Sequence, residues 1–257
     1  MTFEKLIVER RGDVGIVRMN DPATLNAVSV QSIEEMDAAF DDLAGSARAI
    51  ILTGEGRGFC SGANLGADVA LHEDFGLVLE AHINPFMTKL RNLPVPWISA
   101  VRGPAAGVGC ALALAADLIV ASESAYFLQA FVRIGLVPDG GSSHLLARAI
   151  GRARAMEMML LGEKIPAAQA LEWGMINRVT SEDDLEPVAI GLAERLAKGP
   201  TKTLGLIRQV GWTAVDADWE TALHTERTLQ NICGRTRDAR EAIAAFQEKR
   251  PAVFTGA

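Results

Sequence analysis

Twice in the first half of the chain a short apolar run gives way to a glycine-rich turn. Ala49-Ile50-Ile51-Leu52 leads into the loop Gly54 to Gly62. Trp97-Ile98-Ser99-Ala100-Val101 leads into the turn Gly103-Pro104 and the apolar stretch Ala105 to Ala116, which reads as a buried helix. Strands that pass through tight turns into helices restrict the chain to the α/β class. The echo lies in structure only, because no sequence period establishes a solenoid.

The flanking patterns extend this reading. Leu6-Ile7-Val8 and Val14-Gly15-Ile16-Val17 surround Arg11-Gly12-Asp13 and read as a hairpin. Ser29 or Ser32 offers an N-cap to a helix whose Ile33, Met36, Phe40 and Leu43 share one face. A helix is expected within 66–92, with Pro85 inside it, then strands at Leu118-Ile119-Val120 and Tyr126 to Leu128. An apolar helix through Leu145, Leu146 and Ile150 follows Asp139-Gly140-Gly141. The helix from Leu185 to Lys198 stops at Gly199-Pro200, and helices near 201–211, 216–231 and 236–248 complete the chain. A core over residues 1–200 and a helical region over 201–257 are therefore expected.

Charge and cysteine usage narrow the partners. A formal net charge of −7 argues against nonspecific binding to nucleic acid or an anionic membrane. Three cysteines without metal-site spacing suit a reducing compartment. The N-terminal residues lack the apolar stretch of a signal peptide. The run Ala105 to Ala116 is shorter than the roughly 20 residues that span a bilayer. A cytoplasmic protein is the expectation.

Chemistry is suggested by two loops and one acid. In Gly56-Arg57-Gly58-Phe59-Cys60-Ser61-Gly62-Ala63-Asn64-Leu65, glycines would let a ligand approach backbone N–H groups, or simply allow a tight turn. The segment is neither a dinucleotide fingerprint nor a P-loop. In Gly103-Pro104-Ala105-Ala106-Gly107-Val108-Gly109-Cys110, the unsatisfied first-turn N–H groups of a helix would suit an oxyanion. Close helix packing against the glycines is the plainer alternative. Asp139, in Gly135-Leu136-Val137-Pro138-Asp139-Gly140-Gly141, reads either as an N-cap or as a general base. The helix terminus would lower its pKa and desolvation would raise it. There is no Gly-x-Ser-x-Gly elbow and no His-Glu-x-x-His, and His144 beside Ser142 and Ser143 is not a triad.

Taken in order and spacing, these segments resemble the crotonase, or enoyl-CoA hydratase/isomerase, superfamily over nearly the whole chain. The resemblance rests on Leu25-Asn26-Ala27, the loop 56–65, the run Ile98 to Gly109, Asp117 and the stretch Gly135 to Gly141. A C-terminal segment from Arg240 to Pro251 completes it. It implies an α/β spiral of ββα units with a helical C-terminal trimerisation region, assembled as a homotrimer or a dimer of trimers. It implies an acyl-CoA thioester as substrate and no cofactor beyond the coenzyme A that the substrate carries. The thioester oxygen would be held by the backbone N–H groups of Ala63 and Val108. The CoA-binding loop maps to Leu25 to Ala27, with Phe246 and Lys249 near the adenine end. Ser61, Asn64, Leu65 and Gly107 would line the substrate site, and Phe131 an apolar acyl pocket.

The chain departs from the hydratase pattern where it matters most. Hydratases of the family hold water with two glutamates; the matching positions here are Ala111 and Phe131. Asp139 occupies the place where isomerase branches keep a single acid/base. Its surroundings are similar to the branch of phenylacetate breakdown that isomerises ring-epoxide and unsaturated CoA esters. The resemblance therefore implies an enoyl-CoA isomerase, with Asp139 moving the proton and its pKa tuned upward. A hydratase, dehalogenase or thioester hydrolase would need Glu80 or Glu123 in the site. A non-catalytic CoA-ester-binding protein is the remaining alternative.

Overall fold

The computed structural model describes residues 3–64 and 74–257. Strands β1 (Leu6–Arg11) and β2 (Val14–Met19) form the expected antiparallel hairpin. Helix α1 (Val30–Ser46) starts at Ser29. The Ser32 N–H donates to Ser29 Oγ, and the Ser29 N–H donates to Ser32 Oγ. This reciprocal capping box satisfies two donors that the helix start would otherwise leave open.

Strand β3 (Ala49–Gly54) lies parallel to β2. A helical segment runs through α2 (Gly76–Val78), a π-turn (Leu79–Ile83) and α3 (Asn84–Asn92). Two similar units follow. The first is β4 (Trp97–Val101), β5 (Pro104–Ala106) and α4 (Val108–Leu114). The second is β6 (Leu118–Ser122), β7 (Tyr126–Leu128), a 3₁₀ turn (Ala130–Ile134) and α5 (Ser142–Leu161). Then come β8 (Lys164–Pro166), α6 (Ala167–Glu172), β9 (Arg178–Thr180) and α7 (Leu185–Ala197). Helices α8 (Thr201–Asp216), α9 (Trp219–Cys233) and α10 (Arg237–Glu248) form the C-terminal region.

The sheets explain the spiral. One sheet has the order β1-β2-β3-β4-β6-β9, and a smaller one the order β5-β7-β8. Each unit thus places one strand in the large sheet, the next in the small sheet, and then a helix. Alternate side chains of the large sheet enter different cores. Ile50 and Leu52 face the main core with Phe40, Trp97 and α4, whereas Ala49 and Ile51 pack under α7 against Ala189 and Ala193. Burial on both faces is why β3 reads as an unbroken apolar run.

Three differences from the sequence expectation have local causes. The helix expected from Ala105 begins only at Val108, because Pro104–Ala106 is extended and paired with β7. Helix α5 continues past Ile150 to Leu161 through a break at Gly151, whose φ of 77° and ψ of 160° only glycine adopts readily. Strands β8 and β9 have only three residues each, too short to show a period.

Candidate functional site

The two glycine loops are zipped together by main-chain hydrogen bonds. The Cys60 N–H donates to the Pro104 carbonyl and the Ala106 N–H to the Cys60 carbonyl, each at 2.9 Å. Such backbone contact demands glycine nearby. A Cβ on Gly109 would lie 2.6 Å from Cys60 Sγ. One on Gly62 would lie 3.8 Å from the Gly107 Cα. Gly62 and Gly107 therefore touch, and Ala63 and Val108 are the residues immediately beyond them.

Both of these residues present their amides outward from the local bonding. The Val28 N–H donates to the Gly62 carbonyl and the Asn64 N–H to the Val28 carbonyl, each at 2.8 Å. In a parallel bridge of this register, the N–H of the middle residue, Ala63, turns away from Val28. Val108 is the first residue of α4, after Gly107 at φ 53° and ψ −128°. A first-turn N–H has no acceptor within its own helix and lies at the positive end of the helix dipole.

Loop 25–27 is held against this pair. Leu25 and Asn26 both adopt left-handed backbone, with φ of 56° and 58°. The buried Asn26 side chain donates to the Glu55 and Gly58 carbonyls at 3.0 and 2.7 Å, and its Oδ1 accepts from the Asp21 N–H. The Ser61 N–H donates to the Leu25 carbonyl at 2.9 Å, and Ser61 Oγ to the Thr24 carbonyl at 2.7 Å. Leu25, Ala27, Ser61 and Asn64 thus border one another and Ala63.

The residue after Asp139 comes to the start of α4 from the other side. A Cβ on the adjacent Gly140 would stand 3.1 Å from Ala111 Cβ, 3.2 Å from Val108 Cγ2 and 3.9 Å from Ile83 Cγ2. The Asp139 side chain caps nothing: the N-cap of α5 is Gly141, without a side-chain bond. It is the Asp139 carbonyl that accepts from Ser142, at 2.9 Å from its N–H and 2.6 Å from its Oγ. Asp139 Oδ1 is buried and has no hydrogen-bond partner among the described residues. Desolvation therefore prevails over the helix terminus, and the carboxyl is pushed up to about 6.

The surroundings are apolar. Ala111 is fully buried, and Phe131 is buried with its Cζ 3.7 Å from where a Gly107 Cβ would be. Glu80 and Glu123 are exposed. Burial pushes the thiols of Cys60 and Cys110 up to about 12, so neither supplies a thiolate near neutral pH. Among the described residues no group of three His, Cys, Asp or Glu could hold a metal ion.

Leu65 lies outside the described residues. Phe246 is 85% exposed on α10, and Lys249 is the left-handed C-cap of that helix. Among the described residues no hydrogen bond or ion pair ties either side chain to the 25–27 loop. Ile83, which borders Gly140, was not foreseen. The signal for it is Pro85 inside a helical pattern.

Comparison with known proteins shows the family. The family model described as "Enoyl-CoA hydratase/isomerase" matches residues 9–257. The 1,2-epoxyphenylacetyl-CoA isomerase of Escherichia coli K12 is 45% identical over 213 residues, 81% of each chain. A protein named "Probable enoyl-CoA hydratase" from Rhodobacter capsulatus is 38% identical over 256 residues, 100% of each chain. Among solved structures, the enoyl-CoA hydratase of Bacillus anthracis superposes with a TM-score of 0.93. It is 29% identical and covers 99% of this chain and 100% of its own. The zipped loops, the spiral and these matches carry one conclusion: the chain belongs to the enoyl-CoA hydratase/isomerase, or crotonase, family.

Proposed function

We propose that the protein is an enoyl-CoA isomerase that works through a thioester enolate with Asp139 as its single acid/base. The observation that carries this reading is the half-buried Asp139 carboxyl, its Oδ1 enclosed and unpartnered among the described residues and the group raised to about 6, one residue before Gly140, which faces the first turn of α4. The Asp139 carboxylate takes a proton from the carbon next to the thioester carbonyl of a β,γ-enoyl-CoA. The electron pair moves through the carbonyl, and the Ala63 and Val108 N–H groups hold the enolate oxygen. Losing one such donor typically costs about 2.7–4 kcal/mol in the transition state. The Asp139 carboxyl then returns the proton at the far end of the allylic system, and the double bond has moved by one carbon.

Water is not consumed, and the site's lining agrees. Ala111 and Phe131 stand where a hydratase keeps its glutamates, and neither transfers a proton. Gly140 faces Ala111 closely enough that a Cβ on it would stand 3.1 Å from the Ala111 Cβ, which leaves little room for a longer side chain at 111. Leu25, Ala27, Ser61, Asn64, Leu65 and Gly107 bind the substrate in this reading. Phe131 excludes water from the acyl group. Phe246 and Lys249 meet the adenine end of the coenzyme, and no cofactor is added.

The chain works as a homotrimer or a dimer of trimers in the cytoplasm, without nucleic acid or membrane. Large apolar side chains exposed on the C-terminal helices, Trp219 at 76% and Phe246 at 85%, support self-association. No described helix is long and apolar enough to cross a membrane.

The test is incubation with a β,γ-enoyl-CoA in D₂O, followed by NMR and mass spectrometry. A shifted double bond is expected, with turnover reduced about 10²–10⁴-fold in Asp139→Asn and acyl-CoA affinity retained. An active, unchanged Asp139→Asn would overturn the assignment. The Rhodobacter capsulatus relative favours hydration as the second reading. A 3-hydroxyacyl-CoA product would establish that reading instead.

A further inference from the structure

The helical segment 76–92 changes its winding at the edge of the site. The Asn84 N–H donates to the Leu79 carbonyl, five residues back, which makes Leu79–Ile83 a π-turn. Pro85 supplies the cause. Proline has no N–H to give the carbonyl four residues earlier, that of Ala81, and its ring would collide with that carbonyl. A wider turn relieves both problems.

The turn also fixes what faces Asp139. Downstream, Phe86 and Leu90 are buried, and Phe86 meets Phe40 edge-on with ring centroids 5.9 Å apart. Ile83 precedes Phe86 by three residues and Leu90 by seven, so it continues the same face. It is buried, with Cγ2 3.9 Å from the point where a Gly140 Cβ would stand, a point that Ala111 and Val108 also border. His82, one residue earlier, turns to α1, with Nδ1 3.4 Å from Glu34 Oε1. The helix is thus held on both sides, and Ile83 faces the residue next to Asp139.

We infer that Ile83 is a specificity-determining residue, whose branched side chain limits the breadth of the acyl group beside the thioester carbonyl. The inference rests on the reading of Asp139 and the α4 first turn as the acyl-CoA site. A β-branched side chain has few rotamers with which to make room. The dense packing of Phe86 and Leu90 against the core keeps the helix from backing away. Shortening Ile83 therefore opens space where a branched or aromatic acyl group begins.

The experiment is calorimetric titration of the whole protein with butanoyl-CoA, 3-methylbutanoyl-CoA and phenylacetyl-CoA. The first two have no β,γ double bond, and that of phenylacetyl-CoA is held in the aromatic ring, so none of the three is turned over. Ile83→Ala is expected to shift the ratio of affinities toward the two broad esters by about tenfold. Ile83→Val, one methyl smaller and well tolerated in a core, should shift it the same way by about threefold. Free coenzyme A should bind all three proteins alike. Unchanged ratios in Ile83→Val, and in Ile83→Ala where it folds, would overturn the inference. Shifted ratios with no isomerase turnover would support Ile83 and overturn the reaction. Unchanged ratios with intact turnover would overturn Ile83 alone, and no binding of any ester would overturn both.

Discussion

At Asp139 the chain keeps a carboxyl in surroundings that disfavour its charge, and two pH effects follow. As the proposed base, Asp139 must be ionised to act, so kcat/KM should rise with pH through about 6 and level off above it. Stability should move the opposite way. Below the unfolded pKa near 3.9 the group is protonated in both states and contributes no difference. As pH rises from there to about 6, the unfolded chain ionises first and the fold loses stability. Asp139→Asn should therefore match the parent near pH 3.5 and exceed it above pH 6, by about 1–2 kcal/mol after allowance for partial exposure. Thermal melts of both proteins across that range give the answer. A cap role for Asp139 would show the reverse, since replacing a capping side chain costs stability at neutral pH.

Among the elements, the zipped loops and helix α8 carry most of the constraint. Gly109→Ala would drive a methyl into Cys60, cost about 1–3 kcal/mol and disturb Ala63 and Val108 together. Turnover should fall more than acyl-CoA affinity, as paired rate and binding measurements would reveal. Buried Arg208 on α8 donates to Asp117 Oδ1 at 2.7 Å, to the Leu90 carbonyl at 2.9 Å, and to the Leu93 carbonyl. Asp117 also accepts from the Trp97 N–H at 2.8 Å. Removing Arg208 takes its cation from the half-buried Asp117 carboxylate, so Arg208→Ala should cost about 3 kcal/mol, the low end for a buried pair, by denaturant titration. The sequence made the hairpin, α1, β3, β4 and α7 legible, because caps, apolar periods and Gly-Pro stops are local signals. It hid β5, β8 and β9, whose three residues each are extended only through their neighbours. The loop glycines were visible as a candidate site; the approach of Ile83 was not, because it depends on where a π-turn aims the helix.

For the whole molecule, the end of the chain is tied back onto the core. Arg48 donates to Thr201 Oγ1, the Gly199 carbonyl and the Phe254 carbonyl, while Asp238 accepts from the Thr255 and Gly256 N–H groups. This leaves the outer faces of α9 and α10 with Trp219, Ile243 and Phe246 in solvent in a single copy. Sedimentation should report an assembly larger than one chain, and Ile243→Asp with Phe246→Asp should lower its mass. A monomeric parent would count against self-association. A different kind of record would carry the mark of the zipped loops. If every position were replaced in turn and scored for survival, exposed Ala63 would pass as tolerant, since what it offers in the proposed site is main chain, and buried Val108 would be scored for its packing alone. Their neighbours Gly62 and Gly107, which touch no reacting atom, would score as indispensable. Only replacement of the amide itself by an ester, one position at a time, would restore the true ranking.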